Sequence, residues 1–156
     1  MASTSYPQLD LEVQLCLPLY AASRAITRRY GELLAETGLT YPQYLAMLAL
    51  WGGAPLTVGE ICARLHLDTG TLTPLLKRLE GSGLVARRRD PADERRVIVE
   101  PTADGWALRD RVCDVPFELS RSLGLTSDEG RALYELLHRI TDRLEARDAA
   151  ADRLPG

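Results

Sequence analysis

A thiol and a phenol four residues apart, Cys16 and Tyr20, begin a stripe that continues through Ser23, Thr27 and Tyr30 at helical steps. Side chains at i and i+4 on a helix are neighbours. A cysteine does redox work as the thiolate, whose sulfur attacks a peroxide O–O bond and becomes a sulfenic acid. That charge needs a stabilising partner. No Lys, Arg or His lies on the Cys16 side of the helix within one turn, so phenol hydroxyls are the available donors to sulfur. Tyr20, Tyr30 and Tyr41 are candidates. On one helix rising about 1.5 Å per residue, Tyr30 lies roughly 21 Å from Cys16, beyond the reach of any side chain. A Tyr30 that touches Cys16 must therefore come from a second subunit. The ordinary alternative for Cys16, a small apolar residue in the core of an amphipathic helix, is what the residue taken alone favours.

A sulfenic acid must then be trapped, by a second cysteine or by a small thiol. Cys113 is the better in-chain candidate, expected on a long helix near Trp106 and Phe117, with a buried packing role as its alternative. Cys62, beside Ile61 and Leu65, is expected to be inert. Cys62 and His66 have the i,i+4 spacing of metal ligands, but two ligands without a third make no metal site. His138 is expected on an exposed helix face. No metal and no cofactor are expected, and three cysteines form no structural disulfide framework.

The second chemistry is DNA reading. Thr57 with Glu60 forms a capping box for a short helix over Val58 to Leu65. Asp68 or a nearby threonine caps a second helix, in which Leu72, Leu75, Leu76 and Leu79 fall on one face and Gly83 supplies a stop. Thr69, Thr71, Thr73, Lys77 and Arg78 then point away from the core, and Asp68 joins them at the DNA-facing end. Two β-prone runs, Leu84 to Arg89 and Arg96 to Glu100, flank Asp90-Pro91-Ala92-Asp93-Glu94, a hairpin signal. The pattern over Leu56 to Pro101 is a winged helix-turn-helix. Arg87 is a further DNA candidate, although alternate strand residues point oppositely and some of Arg87 to Arg89 face solvent. Arg95 is expected in the minor groove, with Asp93 orienting it by a charge-assisted hydrogen bond.

Composition sets the frame. With 46% hydrophobic residues, 156 residues can bury a real core as one domain over 1–156. The net charge of -3 argues against non-specific coating of nucleic acid, but the arginines cluster at the hairpin, where a reader needs them. No apolar run is long enough to span a bilayer and Met1 to Asp10 lacks a signal-peptide layout, so the expectation is a cytoplasmic protein without membrane contact. A helix is expected from Asp10 to Glu36, weakened by Pro18, and another after the Thr40/Gln43 capping box, with Tyr44 in its core face. Thr102 opens a long helix bent at Pro116, and Thr126 with Glu129 opens the last. The fold class is mainly α with a small β-hairpin wing, residues 40–101 being flanked by dimerisation helices at 10–36 and 103–146. The leucine-rich terminal helices favour a homodimer, whose twofold suits a palindromic operator in double-stranded DNA.

Several motifs resemble the MarR-type winged-helix repressors, and within them the organic-hydroperoxide sensors of the OhrR type. They are Leu15-Cys16 with Leu19-Tyr20, Thr40-Tyr41-Pro42-Gln43-Tyr44-Leu45-Ala46, Leu67 through Arg78, and Asp93-Glu94-Arg95, which fits a D-x-R signature. The likeness runs nearly end to end. It implies that Cys16, Tyr20, Tyr30 and Tyr41 form the redox sensor, with organic hydroperoxide as inducer. It also implies that the reduced dimer represses a peroxidase gene, and that oxidation of the cysteine releases the DNA. The two-cysteine members place their resolving thiol in the helical region of Cys113. Three alternatives stand beside this reading: a regulator answering to a small aromatic or lipophilic ligand, a thiol peroxidase, and a winged helix used purely for protein contacts, with its basic wing incidental. The second is disfavoured because no cationic or His partner and no Gly-rich substrate loop accompanies Cys16.

Overall fold

The computed structural model describes residues 6–151, with side chains as far as residue 148. Two compact units make up the chain, 1–119 and 120–156. In the first, two 3-10 turns lead into α1 (Cys16–Leu33), followed by α2 (Tyr41–Trp51), β1 (Leu56–Thr57), α3 (Val58–Leu65), α4 (Thr69–Gly81), β2 (Val85–Asp90), β3 (Asp93–Pro101) and α5 (Ala103–Arg111). Helix α6 (Val115–Leu123) runs across the boundary, and the second unit carries α7 (Ser127–Ala151).

The caps decide where helices begin. Thr40 with Gln43 and Thr57 with Glu60 close reciprocal capping boxes on α2 and α3, and Thr126 pairs with Glu129 ahead of α7. Asp68 caps α4 by accepting from the Thr71 N–H at 2.8 Å. The end of α4 is a Schellman motif: Gly83 adopts φ 74°, its N–H reaches Glu80 O, and the Leu84 N–H reaches Leu79 O at 3.0 Å. Leu72, Leu75, Leu76 and Leu79 are buried, as their spacing predicts, against Tyr44, Met47, Leu50 and Ile61.

The sheet has the order β1-β3-β2, all antiparallel. The hairpin is longer than its propensities predict, since Asp90 and Asp93 are themselves paired and only Pro91 and Ala92 turn. Strand β1 went unpredicted because two residues carry no alternation; it is fixed by pairing Leu56 with Val99.

Two expected helices change shape. Helix α1 begins at Cys16 rather than Asp10, which puts Pro18 in its first turn, where a missing N–H breaks no helical bond and no kink is needed. The expected long helix after the wing is two. A proline ring clashes with the carbonyl four residues back, here that of Val112, so α5 stops at Arg111 and Pro116 sits in the first turn of α6 instead of bending a continuous helix.

No side chain of α1 is fully buried, Tyr30 and Leu33 packing partly buried against the core, and apolar residues remain exposed at its start and along the later helices, among them Leu15 at 80% and Phe117 at 66%. One close approach ties the middle of the first unit together. A Cβ on Gly105 would lie 2.0 Å from the Leu84 carbonyl oxygen, so only glycine lets α5 seat against the start of the wing. Gly105→Ala is expected to lower stability by about 1–3 kcal/mol through overpacking against backbone, read as a lower urea midpoint with an unchanged slope.

Candidate functional site

Cys16 is the first residue of α1 and is exposed, and among the described residues its sulfur has no hydrogen-bond partner. Tyr20, one turn on, is 60% exposed. Its hydroxyl accepts from Arg24 Nη1 at 3.0 Å, and the same guanidinium lies 5.6 Å from the ring centroid. The phenol is thus engaged with the following turn rather than with the thiol.

The other two tyrosines meet each other. Tyr30, near the end of α1, stacks on Tyr41, at the start of α2, with centroids 4.0 Å apart and planes 12° from parallel. Tyr44 joins at 5.7 Å from Tyr30, and Trp51 meets Tyr44 edge-on at 6.4 Å. Burial, with Tyr41 and Tyr44 adding to it, pushes the Tyr30 phenol up to about 12. Burial raises Tyr41 and Tyr44 as well. All three therefore stay protonated at neutral pH and remain donors. Since Cys16 and Tyr30 occupy one unbroken helix, they stand roughly 21 Å apart within a chain. Tyr44 is fully buried, the core role its helix position predicts.

Cys113 is exposed in the link between α5 and α6, neither on a helix nor buried. Its thiol donates to Asp110 O at 3.1 Å. It lines a cavity of about 370 Å³ together with Tyr44, Leu48, Trp51, Arg109 and Val112. Cys62 is half-buried in α3, its sulfur 3.9 Å from Thr69 Oγ1. His66 leaves that helix in the left-handed region at φ 52°, which takes it off the i,i+4 face that a metal pair with Cys62 needs. His138 is exposed on α7, its ring 3.9 Å from that of Tyr134.

The reading face is partly committed to holding itself in place. The Asp68 carboxylate accepts from both the hydroxyl (2.7 Å) and the N–H of Thr71, which hold it below the usual carboxylate range. Thr69 and Lys77 are exposed, as is Arg78. Thr73 is half-buried and lines a groove of about 320 Å³ with Thr69, Val58, Arg95 and Arg96, between α4 and the wing. Arg87 lines the same groove and is also tied to α4. Its guanidinium donates through Nε at 2.9 Å and through Nη2 to Glu80 Oε2, binding the wing's base to the end of α4 and lowering the Glu80 carboxyl's affinity for a proton. Arg95 is the opposite case, 92% exposed at the wing tip, with its Nε donating to Asp93 Oδ1 at 3.2 Å as the D-x-R spacing predicts. Arg96 lines the groove without having been singled out by spacing, because the twist at the Arg89/Asp90 irregularity breaks strict alternation. The Glu80 to Arg87 bond had no sequence signal, since it spans a helix end and a turn.

Comparison with known proteins places this geometry. The MarR family pattern matches residues 37–96. The regulator TtmR of Methylorubrum extorquens is 49% identical over 94% of this chain and 74% of its own length. The organic hydroperoxide resistance transcriptional regulator of Bacillus subtilis is 44% identical over 90% of this chain and 93% of its own. Among solved structures, reduced AbfR bound to DNA superposes with a TM-score of 0.73 at 39% identity, covering 88% of this chain and 96% of that one. With the winged helix-turn-helix, the D-x-R wing tip and relatives matched over most of both lengths, the chain belongs to the MarR family of winged-helix transcriptional regulators.

Proposed function

We propose that this chain is a cytoplasmic, homodimeric repressor that binds a palindromic operator and releases it when an organic hydroperoxide oxidises Cys16. The observation that carries the reading is the separation, along one helix whose opening turns leave their apolar side chains exposed, of the exposed Cys16 from the protonated Tyr30 and Tyr41. A second copy packed antiparallel along α1 covers that apolar surface and brings those phenols to the sulfur. The name of the Bacillus subtilis relative supplies the oxidant class, and AbfR bound to DNA supplies the precedent for the reader.

The Cys16 thiolate attacks one peroxide oxygen; an S–O bond forms, the O–O bond breaks, and the alkoxide leaves and takes up a proton. Cysteine is oxidised to sulfenic acid and the hydroperoxide reduced to an alcohol. A second thiol, from exposed Cys113 or a small cellular thiol, then condenses with the sulfenic acid and expels water. Each dimer acts as a switch reset by reduction, not as a turnover enzyme. On the DNA side, Thr69, Thr71 and Thr73 with Lys77 and Arg78 serve the major groove, Arg95 the minor groove. Asp68, Asp93 and Arg87 hold these elements in position. The cavity beside Cys113 gives a second reading some support: release by a small lipophilic ligand instead of an oxidant.

The deciding experiment is a mobility-shift assay on a duplex carrying the protein's own promoter. Wild type is expected to leave the DNA on adding tert-butyl hydroperoxide, and Cys16→Ser to stay bound; equal release of both would favour the ligand-triggered reading. Heterodimers with Cys16→Ser in one chain and Tyr30→Phe in the other should keep one working site and respond. Silence in such heterodimers would place the site within one chain. Arg95→Ala is expected to weaken binding and, if the contact is to phosphate, to reduce the salt slope by about one; unchanged affinity and slope would remove Arg95 from the interface.

A further inference from the structure

Beside the core packing that sets Tyr44 among the α4 leucines, a second, continuous set of contacts joins the sensor tyrosines to the junction of α4 with the wing. Tyr30 stacks on Tyr41, both approach Tyr44, and Tyr44 meets the edge of Trp51. The half-buried Trp51 indole Nε1 donates to the Gly105 carbonyl at 2.9 Å, a bond between α2 and α5. Gly105 in turn has no freedom against Leu84, whose carbonyl oxygen occupies the place of its missing Cβ. Leu84 O accepts from Thr102 N–H at 3.1 Å, and the Thr102 hydroxyl donates to Gly83 O at 2.6 Å. Gly83 and Leu84 are the residues that close the recognition helix and open the wing.

We propose that Trp51 is a positioning residue of the switch, carrying displacement of the Tyr30–Tyr41 pair through its indole N–H to Gly105, and so to the junction of α4 with the wing. The inference rests on the redox reading of Cys16. Its physical content is stiffness. Stacked rings and a backbone-to-backbone contact have few alternative arrangements, so a shift at one end is passed on rather than absorbed. The indole N–H to carbonyl bond is the one directional link in the set, and it can be removed while leaving an aromatic ring in place.

The test compares wild type, Cys16→Ser and Trp51→Phe on the same promoter duplex, with and without tert-butyl hydroperoxide, while a sulfenic-acid probe follows Cys16 oxidation. Trp51→Phe should bind DNA when reduced and oxidise at the wild-type rate. Its ratio of reduced to oxidised affinity should fall by roughly fivefold to tenfold. An unchanged ratio, or equal weakening of both affinities, which a merely structural role would give, overturns the proposal. Wild type that stays bound after oxidation overturns the redox reading and this inference with it.

A second measurement does not depend on Trp51→Phe folding. The chain has two tryptophans, and Trp106 is exposed, so Trp106→Phe leaves Trp51 as the sole indole emitter. Its emission should shift when Cys16 is oxidised and stay constant in the Cys16→Ser, Trp106→Phe double variant. Constant emission in a protein that releases DNA would show that Trp51 stands outside the switch.

Discussion

Helix α1 runs 18 residues without fully burying one side chain, and Tyr30 and Leu33 near its end pack only partly buried against the core. Its caps do little for it either: no side chain closes its start, and its apolar stripe from Leu15 through Leu19 toward Leu33 faces outward over much of its length. A helix of this kind gains little from propensity and depends on packing. Everything distinctive about the chain hangs on what covers that stripe. The same surface carries the exposed thiol, so the interaction that would stabilise the helix is also the one that would complete the chemistry. On the redox reading, burial and reactivity would be set by a single interface.

The reading half is built in the opposite way. Its core is closed within the chain by the α4 leucines, Ile61, Met47 and Tyr44. Several of its charged groups are committed internally: Glu60 and Asp68 to caps, Glu80 to Arg87, Arg89 to the Glu94 carbonyl. What is left projecting is narrow in kind, short hydroxyls at the start of α4, Lys77 and Arg78 along it, and Arg95 at the wing tip. An overall negative chain thereby presents a basic edge where it matters, which is how a reader avoids binding DNA everywhere.

Where the sequence was legible, the reason was local. Capping boxes at Thr40, Thr57 and Thr126 need only four residues to declare themselves, and the leucine period of α4 needs one helix. Asp93 and Arg95 are two residues apart and found each other. What escaped was set by partners distant along the chain: β1 exists because Val99 pairs with Leu56, Arg87 bonds Glu80 across a turn, and Trp51 met Gly105 only after α2 and α5 had packed. Prolines misled in a consistent direction. Pro18 and Pro116 looked like faults within helices because the pattern of apolar residues runs past the true boundary. In both cases the ring marks the first turn, so hydrophobic period extended the helix further than backbone chemistry allows.

The place of Pro18 has a further consequence. Standing in the opening turn of α1, it withholds one of the free amide groups that helix starts ordinarily offer to a nearby anion. On the redox reading, the sulfur two residues before it would be poorer in local donors and more dependent on hydroxyls from elsewhere. If those belong to another copy, sensitivity to oxidant follows assembly by mass action. A newly made, unpaired chain would then be comparatively indifferent to peroxide, and the cell's stock of the protein would help set the threshold at which the alarm sounds.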